Sequence, residues 1–236
     1  MKIFQFKQFA ITQDKCAMKV GTDGVLLGAW VDIQDGIESV LDIGAGTGLL
    51  ALQMAQRSGV DTIDAVELHN DAFEQCVENF EASEWSDRLF CYHASFQEFF
   101  QEIDETYDLL IANPPFFTEE VSSGNTPRDK ARQERSLPFE HLLFGAAKLL
   151  SSKGSFAVII PFSEEGHFLE LAKHVQLFPN RITRVRGNKK VPVKRSLLQL
   201  SRNQNEIEIK ELVIEKERHV YTQEYINLTK DFYLKM

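Results

Sequence analysis

Short apolar blocks recur along this chain, and the polar stretches between them carry apolar residues at helical spacing. The blocks at 39–43, 61–67, 89–93 and 107–112 read as strands. The last is nearly all apolar, as suits a strand buried on both faces. Segments 49–57, 70–83, 96–103, 141–150 and 164–174 read as helices. In 70–83 the spacing predicts a core face of Ala72, Phe73, Cys76, Val77 and Phe80, and the 141–150 helix is expected to stop at Gly154 before a strand at 155–160. Near the N-terminus, 3–11 looks extended and 25–31 helical. Beyond 174 the pattern changes to successive strands at 181–186, 193–201 and 206–214, with a closing helix at 222–230. Strand and helix alternate five times before strands dominate. This predicts an α/β fold: a doubly wound, mostly parallel sheet with an antiparallel hairpin at its C-terminal edge. With no internal repeat and no low-complexity linker, the expectation is one domain over 1–236, made of a short N-terminal extension (1–30) and a core (39–236).

Composition changes this picture little. The 236 residues are 43% hydrophobic and 26% charged, as in ordinary globular proteins. No run approaches the ~20 apolar residues of a membrane span, and the start, Met1-Lys2-Ile3-Phe4-Gln5-Phe6-Lys7, lacks the apolar stretch of a secretory signal, so a cytoplasmic location without membrane partners is expected. Cys16, Cys76 and Cys91 are odd in number and far apart, which suits reduced thiols. No Cys or His pair has ligand spacing, so no metal is expected.

Charge adds more. The net charge of −9 argues against a polyanionic partner, yet positions 180 to 205 hold eight basic residues and no acidic one. They are Arg181, Arg184, Arg186, Lys189, Lys190, Lys194, Arg195 and Arg202. The run reads as a phosphate-binding surface for RNA, or as a solvated strand face. The polar stretch 118–136, with Arg128, Lys130, Arg132 and Arg135, reads as a lid over a target base, or as a surface loop. Nothing in the chain predicts an oligomeric state.

Two motifs carry candidate chemistry. Leu41-Asp42-Ile43-Gly44-Ala45-Gly46-Thr47-Gly48 joins a predicted strand to a predicted helix, where glycines permit a tight turn and close approach of a ligand. Glu67 ends the next strand, at about the spacing of an acid that meets ribose hydroxyls. A dinucleotide would use the same loop position, but Asp42 would repel its pyrophosphate. A carboxylate there favours a cationic ligand, and S-adenosylmethionine carries an ammonium and a sulfonium. Asp42 could alternatively only brace the loop. Lys19 and Thr22, in the Lys19-to-Gly24 stretch, are candidates to close over the methionine end of such a cofactor; Thr22 or Asp23 could instead cap a helix. Ser95, after the third core strand, is a candidate for its adenine, or a spacer. His93, His141, His167 and His174 have no catalytic arrangement and read as surface or packing residues.

The second motif, Asn113-Pro114-Pro115-Phe116, follows the fourth core strand. The prolines stiffen the backbone and remove N–H donors, leaving carbonyl acceptors and the Asn113 amide oxygen. Those acceptors suit an exocyclic amine with two N–H donors, whose lone pair is then aimed at an electrophile; Phe116 suits stacking on the ring bearing it. The bland alternative is a rigid turn with a buried aromatic.

Leu41–Gly48 by position, Glu67 and the tetrapeptide resemble the class I Rossmann-like methyltransferases. The stretch Phe6-Lys7-Gln8-Phe9, continued by Asp14-Lys15-Cys16-Ala17-Met18-Lys19-Val20-Gly21-Thr22-Asp23-Gly24-Val25-Leu26-Leu27-Gly28-Ala29-Trp30, is similar to the bacterial valine-tRNA adenine-N6 methyltransferase family, as is the ending Phe232-Tyr233-Leu234. The resemblance spans essentially the whole chain. It implies S-adenosylmethionine as cofactor, tRNA as partner, and the N6 amine of the adenine beside the anticodon, position 37, as acceptor. Ser95 departs from the Asp often found there. Guanine-N2 methyltransferases of ribosomal RNA share the tetrapeptide but typically follow it with His, where this chain has Phe117 and Thr118. Methyltransferases of a release-factor glutamine share a similar one. A non-catalytic RNA-binding assembly factor is the reading from a different class.

Overall fold

Nine strands form one twisted sheet in the computed structural model of the chain, which describes residues 3–16, 18–115 and 137–236. A two-stranded hairpin precedes it: β1 (Ile3–Gln5) and β2 (Ala10–Thr12). Helix α1 (Thr22–Trp30) leads to β3 (Ser39–Ile43), α2 (Leu49–Arg57), β4 (Thr62–Glu67), α3 (Asn70–Glu81), β5 (Leu89–His93), α4 (Phe96–Glu102) and β6 (Tyr107–Ala112). After the undescribed segment come α5 (Phe139–Leu149), β7 (Leu150–Pro161), a 3-10 turn (Phe162–Glu164), α6 (Glu165–His174), β8 (Phe178–Asn188), β9 (Arg195–Ser201), β10 (Glu208–Glu217), β11 (Val220–Tyr221) and α7 (Gln223–Thr229).

The strand order is β11-β10-β8-β9-β7-β6-β3-β4-β5. Strands β3 to β7 are mutually parallel, so the doubly wound sheet is as expected. β9 inserts antiparallel between β7 and β8, and β10 then pairs parallel to β8. The antiparallel hairpin at the C-terminal edge is β10–β11.

Alternation along the strands sorts side chains onto two faces. Val40, Ile63, Ile111, Ala157 and Ile159 join one core with α1 and α2, while Leu41, Ile43, Val66, Leu110, Phe156 and Val158 join a second with α4, α5 and α6. Helix α1 is buried from Gly24 to Trp30 and lies inside the first core, so the N-terminal extension is integral to the packing. At ~1.5–3 kcal/mol per buried large apolar side chain, Val25, Leu26 and Leu27 alone make its detachment costly.

Three local expectations differ from the structure. The α5 helix ends at Leu149 and the chain enters β7 directly, so Gly154 is a strand residue rather than a stop. A Cβ at Gly154 would lie 2.9 Å from the Tyr107 carbonyl oxygen, so the glycine permits close backbone approach beside the register shift between β6 and β7. On α3, Phe73 and Val77 are only partly buried, and Gln75 and Asn79 complete the inner face. These amides are buried because the N-terminal stretch supplies partners: Asn79 Oδ1 accepts the Thr12 N–H at 2.9 Å and Gln75 Oε1 the Lys15 N–H at 3.2 Å. Neither Thr22 nor Asp23 caps α1, whose N-cap is Gly21 without a side-chain bond.

Candidate active site

The two motifs meet because of strand register. β3 and β6 are hydrogen-bonded neighbours with Asp42 opposite Ile111 and Ile43 opposite Ala112, so Gly44 and Asn113 leave adjacent strands side by side. From β3 the chain winds outward to β4 and β5, then crosses back to β6. The crevice between β3 and β6 is therefore the topological switch point, where open α/β sheets bind ligands.

Gly44, Gly46 and Gly48 have φ of 73°, 57° and 78°. Their roles differ. A Cβ on Gly44 or Gly46 would meet no atom within 4 Å, whereas one on Gly48 would lie 2.5 Å from Phe80 Cε1 and 2.9 Å from Cys76 Sγ. The first two glycines thus leave room for a ligand against the backbone, and the third lets α2 pack on α3. The loop is held from behind. Gly44 and Ala45 donate to the Val66 carbonyl at 2.9 and 3.1 Å. Gly46 donates to Glu67 Oε2 at 2.8 Å, and Asn79 Nδ2 donates to the Thr47 carbonyl at 2.9 Å.

Glu67 is buried, and its Oε1 accepts the His69 N–H at 2.8 Å. Each carboxylate oxygen keeps a second lone pair, enough to accept a ribose hydroxyl. Asp42 is wholly buried; Oδ2 accepts the Ala51 N–H at 3.1 Å, and Oδ1 has no hydrogen-bond partner among the described residues. Burial pushes its pKa up to about 7, against the lowering effect of the Ala51 bond, with Glu67 adding a smaller push upward. Asp42 therefore does brace α2, and it also keeps one acceptor unspent. The open glycines, the orphaned Oδ1 and Glu67 fit a ligand that carries a cation and a ribose.

Asn113 is half-buried and Pro114 buried. A Cβ on Gly24 would lie 3.6 Å from Asn113 Nδ2 and 2.9 Å from Leu49 Cδ2, so the start of α1 closes against Asn113 and against the first residue of α2, next to the glycine loop. Lys19 and Thr22 are exposed just before this contact, on a segment pinned by the Val20 N–H to Gln13 Oε1 bond of 2.8 Å. Phe116, Phe117 and the 118–136 stretch with Arg128, Lys130, Arg132 and Arg135 lie outside the described residues.

Ser95 is the N-cap of α4 in a reciprocal capping box. Its N–H and hydroxyl both donate to Glu98 Oε2, at 3.0 and 2.7 Å, and the hydroxyl oxygen accepts the Glu98 N–H at 3.1 Å. Ser95 thus caps α4 and gives both its donors to Glu98, while its hydroxyl oxygen keeps one lone pair, the acceptor that a cofactor adenine amine requires.

Much of the basic run is paired within the fold. Arg181 lies 3.5 Å from Glu208 and over the Trp30 ring, Arg184 is 2.6 Å from Glu165, Arg186 2.6 Å from Glu211, and Arg195 2.8 Å from Asp23. Arg202 donates to the Ala147 and Leu150 carbonyls at the end of α5. A run without acids in sequence meets carboxylates from other elements in space, two of them on β10. The exposed basic groups that remain are Lys189, Lys190 and Lys194, around the β8–β9 turn. That turn follows the carboxyl end of β8 and so lies on the same sheet edge as Gly44 and Asn113. His93 stacks on Phe73 at 5.0 Å, and His141, His167 and His174 are exposed.

Among the described residues no group of three or more His, Cys, Asp or Glu could hold a metal, and no helix is long and apolar enough to cross a membrane. The sequence reading missed Asn79 and Gln75; two amides at apolar-face spacing were the available signal.

Known proteins place this geometry. The methyltransferase small domain matches residues 25–178. A tRNA1(Val) (adenine(37)-N6)-methyltransferase of Flavobacterium johnsoniae is 57% identical over 99% of this chain and 100% of its own. One of Christiangramia forsetii is 54% identical over 99% of this chain and 98% of its own. A crystal structure of a predicted O-methyltransferase from Agrobacterium tumefaciens superposes with a TM-score of 0.71 at 17% identity, over 89% of this chain and 96% of that one, which speaks to the fold alone. With this coverage and identity, the chain belongs to the methyltransferase small domain family and, within it, to the family of the tRNA1(Val) (adenine(37)-N6)-methyltransferases.

Proposed function

We propose that this protein transfers a methyl group from S-adenosylmethionine to the exocyclic N6 amine of adenine 37 in a valine tRNA, in the bacterial cytoplasm. The observation that carries the proposal is the register of β3 and β6. It sets a glycine loop suited to a cationic nucleoside beside an amine-accepting Asn-Pro-Pro turn. The names of the relatives supply the nucleotide and the RNA.

When bound, S-adenosylmethionine supplies an electrophilic methyl group on a sulfonium. Gly44 and Gly46 give it room, Glu67 accepts its ribose hydroxyls, and Asp42 Oδ1 faces its positive end. Lys19 and Thr22 border the opening. Asn113 Oδ1 and the Pro114 carbonyl accept the two N–H groups of the adenine amine, and Phe116 stacks on the base. Adenine N6 is a weak nucleophile because its lone pair is delocalised into the ring. Two acceptors favour a more pyramidal nitrogen and aim the lone pair, so positioning and preorganised acceptors are the main catalytic contributions. The amine proton leaves to water after transfer. Residues 1–30 act with the 39–236 core as one unit, since α1 packs against Asn113 and the start of α2.

The test is transfer of radiolabelled methyl groups to total tRNA, followed by nucleoside analysis. N6-methyladenosine in valine tRNA is expected. Label in guanine N2 of ribosomal RNA or in a release-factor glutamine would replace the substrate. Cofactor binding without transfer would leave an RNA-binding factor.

A further inference from the structure

Phe162 follows the carboxyl end of β7, the strand next to β6, and leaves 38% of its surface exposed. Among the described exposed aromatic residues, Phe90, Tyr92, Phe144 and Phe162, it alone sits past the carboxyl end of a strand. Ala112 is opposite Val158 in the β6–β7 register, so Asn113 is level with Ile159. Phe162 stands three residues further out, or roughly 10 Å at strand rise.

The ring is held in place by charge. The Arg184 guanidinium lies over it, 5.4 Å from its centroid. Arg184 is fixed in turn by Glu165, with Nη2 donating to Oε1 at 2.6 Å and Nε to both oxygens at 3.2 Å. Glu165 is 6% exposed, and its Oε2 also accepts the Ser196 hydroxyl at 2.5 Å. The Phe162 N–H donates to the Lys194 carbonyl at 3.1 Å, which ties the ring to the turn carrying Lys189, Lys190 and Lys194. In the pair with Arg184, Glu165 is the buried member and Arg184 the half-exposed one, so the carboxylate anchors the guanidinium from inside the fold while its outer side stays at the surface. The effect is to fix a guanidinium and, on it, an exposed aromatic ring. An aromatic face beside exposed lysines suits one nucleotide of a single strand, with the base stacked on the ring and the phosphate near an ammonium.

We infer that Phe162, propped by Arg184 and Glu165, is a positioning residue that stacks on an unpaired base neighbouring the methylated adenine, while the lysines of the β8–β9 turn hold the adjoining phosphates. This rests on the RNA reading above.

The test uses the full-length protein and anticodon-arm hairpin RNAs with 2-aminopurine at either neighbour of the target adenine. Wild type should quench the fluorophore at one of the two positions. Phe162→Leu should lose most of that quench and raise KM for the hairpin about tenfold, about 1.4 kcal/mol, with kcat within twofold. Phe162→Trp should restore both. Cofactor affinity and Tm equal to wild type show that Phe162→Leu is folded. Should it unfold, Phe162→Tyr, which keeps the ring, must quench as wild type. Quenching by a folded Phe162→Leu equal to wild type, or an unchanged KM, overturns the inference while leaving methyl transfer intact. Wild type that neither binds nor methylates the hairpin overturns the RNA reading and this inference with it.

Discussion

Asp42 Oδ2 accepts the Ala51 backbone N–H at 3.1 Å, which ties the end of β3 to the first turn of α2 from a wholly buried position. Burial raises the Asp42 pKa from 3.8 to about 7. The folded protein therefore holds this proton where the unfolded chain has lost it, and stability falls as pH rises from about 4 to about 7, by up to ~1.4 kcal/mol per pH unit. Asp42→Asn keeps an acceptor for Ala51 and removes the titration. Denaturant unfolding between pH 4 and 8 should show the slope in wild type and a flatter curve in the variant. Cofactor affinity, measured by calorimetry, should rise through pH 7 in wild type as the carboxylate forms, and this rise should be absent in Asp42→Asn. Parallel affinity profiles would remove Asp42 from cation binding.

Asn113 stands at the end of β6 beside the start of α1, and its amide oxygen is the acceptor assigned to the target amine. Loss of one preorganised group aimed at developing charge costs ~3–4 kcal/mol, or about 100- to 1,000-fold in kcat. Asn113→Ala should show that loss with cofactor affinity within about threefold. The measurement is single-turnover methylation of tRNA alongside a cofactor titration. Turnover equal to wild type would place the catalytic acceptor elsewhere.

The three glycines of the loop predict two kinds of defect. All have positive φ, so alanine at any of them carries roughly 1 kcal/mol of backbone strain. At Gly46 the added methyl enters open space, so Gly46→Ala should lower cofactor affinity at least tenfold with a small loss of stability. At Gly48 it would enter the Phe80 ring and Cys76, so Gly48→Ala should lose about 2–4 kcal/mol of stability. Thermal unfolding and cofactor titration of the two variants separate the roles. Equal destabilisation would show that Gly46 is packed like Gly48.

Local signals carried most of this fold. Strands β3, β4 and β6 are buried on both faces, so their apolar blocks stood out, and the loops after β3 and β6 are marked by glycine and proline. The site was legible for the same reason: Gly44 to Gly48 and Asn113 follow such strands, and Glu67 ends one. What pattern could not show was long-range pairing. Asn79 and Gln75 look like surface polar residues until β2 and its following loop reach α3. Gly154 looks like a helix stop until β6 approaches it. Ser95 is not seen as a helix cap until Glu98 folds back on it. The basic run looks uncompensated for the same reason, because its carboxylate partners come from α1, α6 and β10.

Those ion pairs set the last prediction. Arg184 and Arg186 spend their charge on Glu165 and Glu211, so neutralising them should reduce stability more than it changes the salt dependence of tRNA binding. Lys189, Lys190 and Lys194 are exposed on the sheet edge that holds Asn113. Each phosphate contact contributes ~0.7–0.9 to the slope of log K against log salt, so the triple alanine variant should flatten that slope by about 2. Its Tm should stay within a few degrees of wild type, because these side chains bury little. Fluorescence titrations of tRNA from low to moderate salt give the slopes. An unaltered slope in the lysine variant, or an equal loss of slope in Arg186→Gln, would move the RNA surface away from the β8–β9 turn.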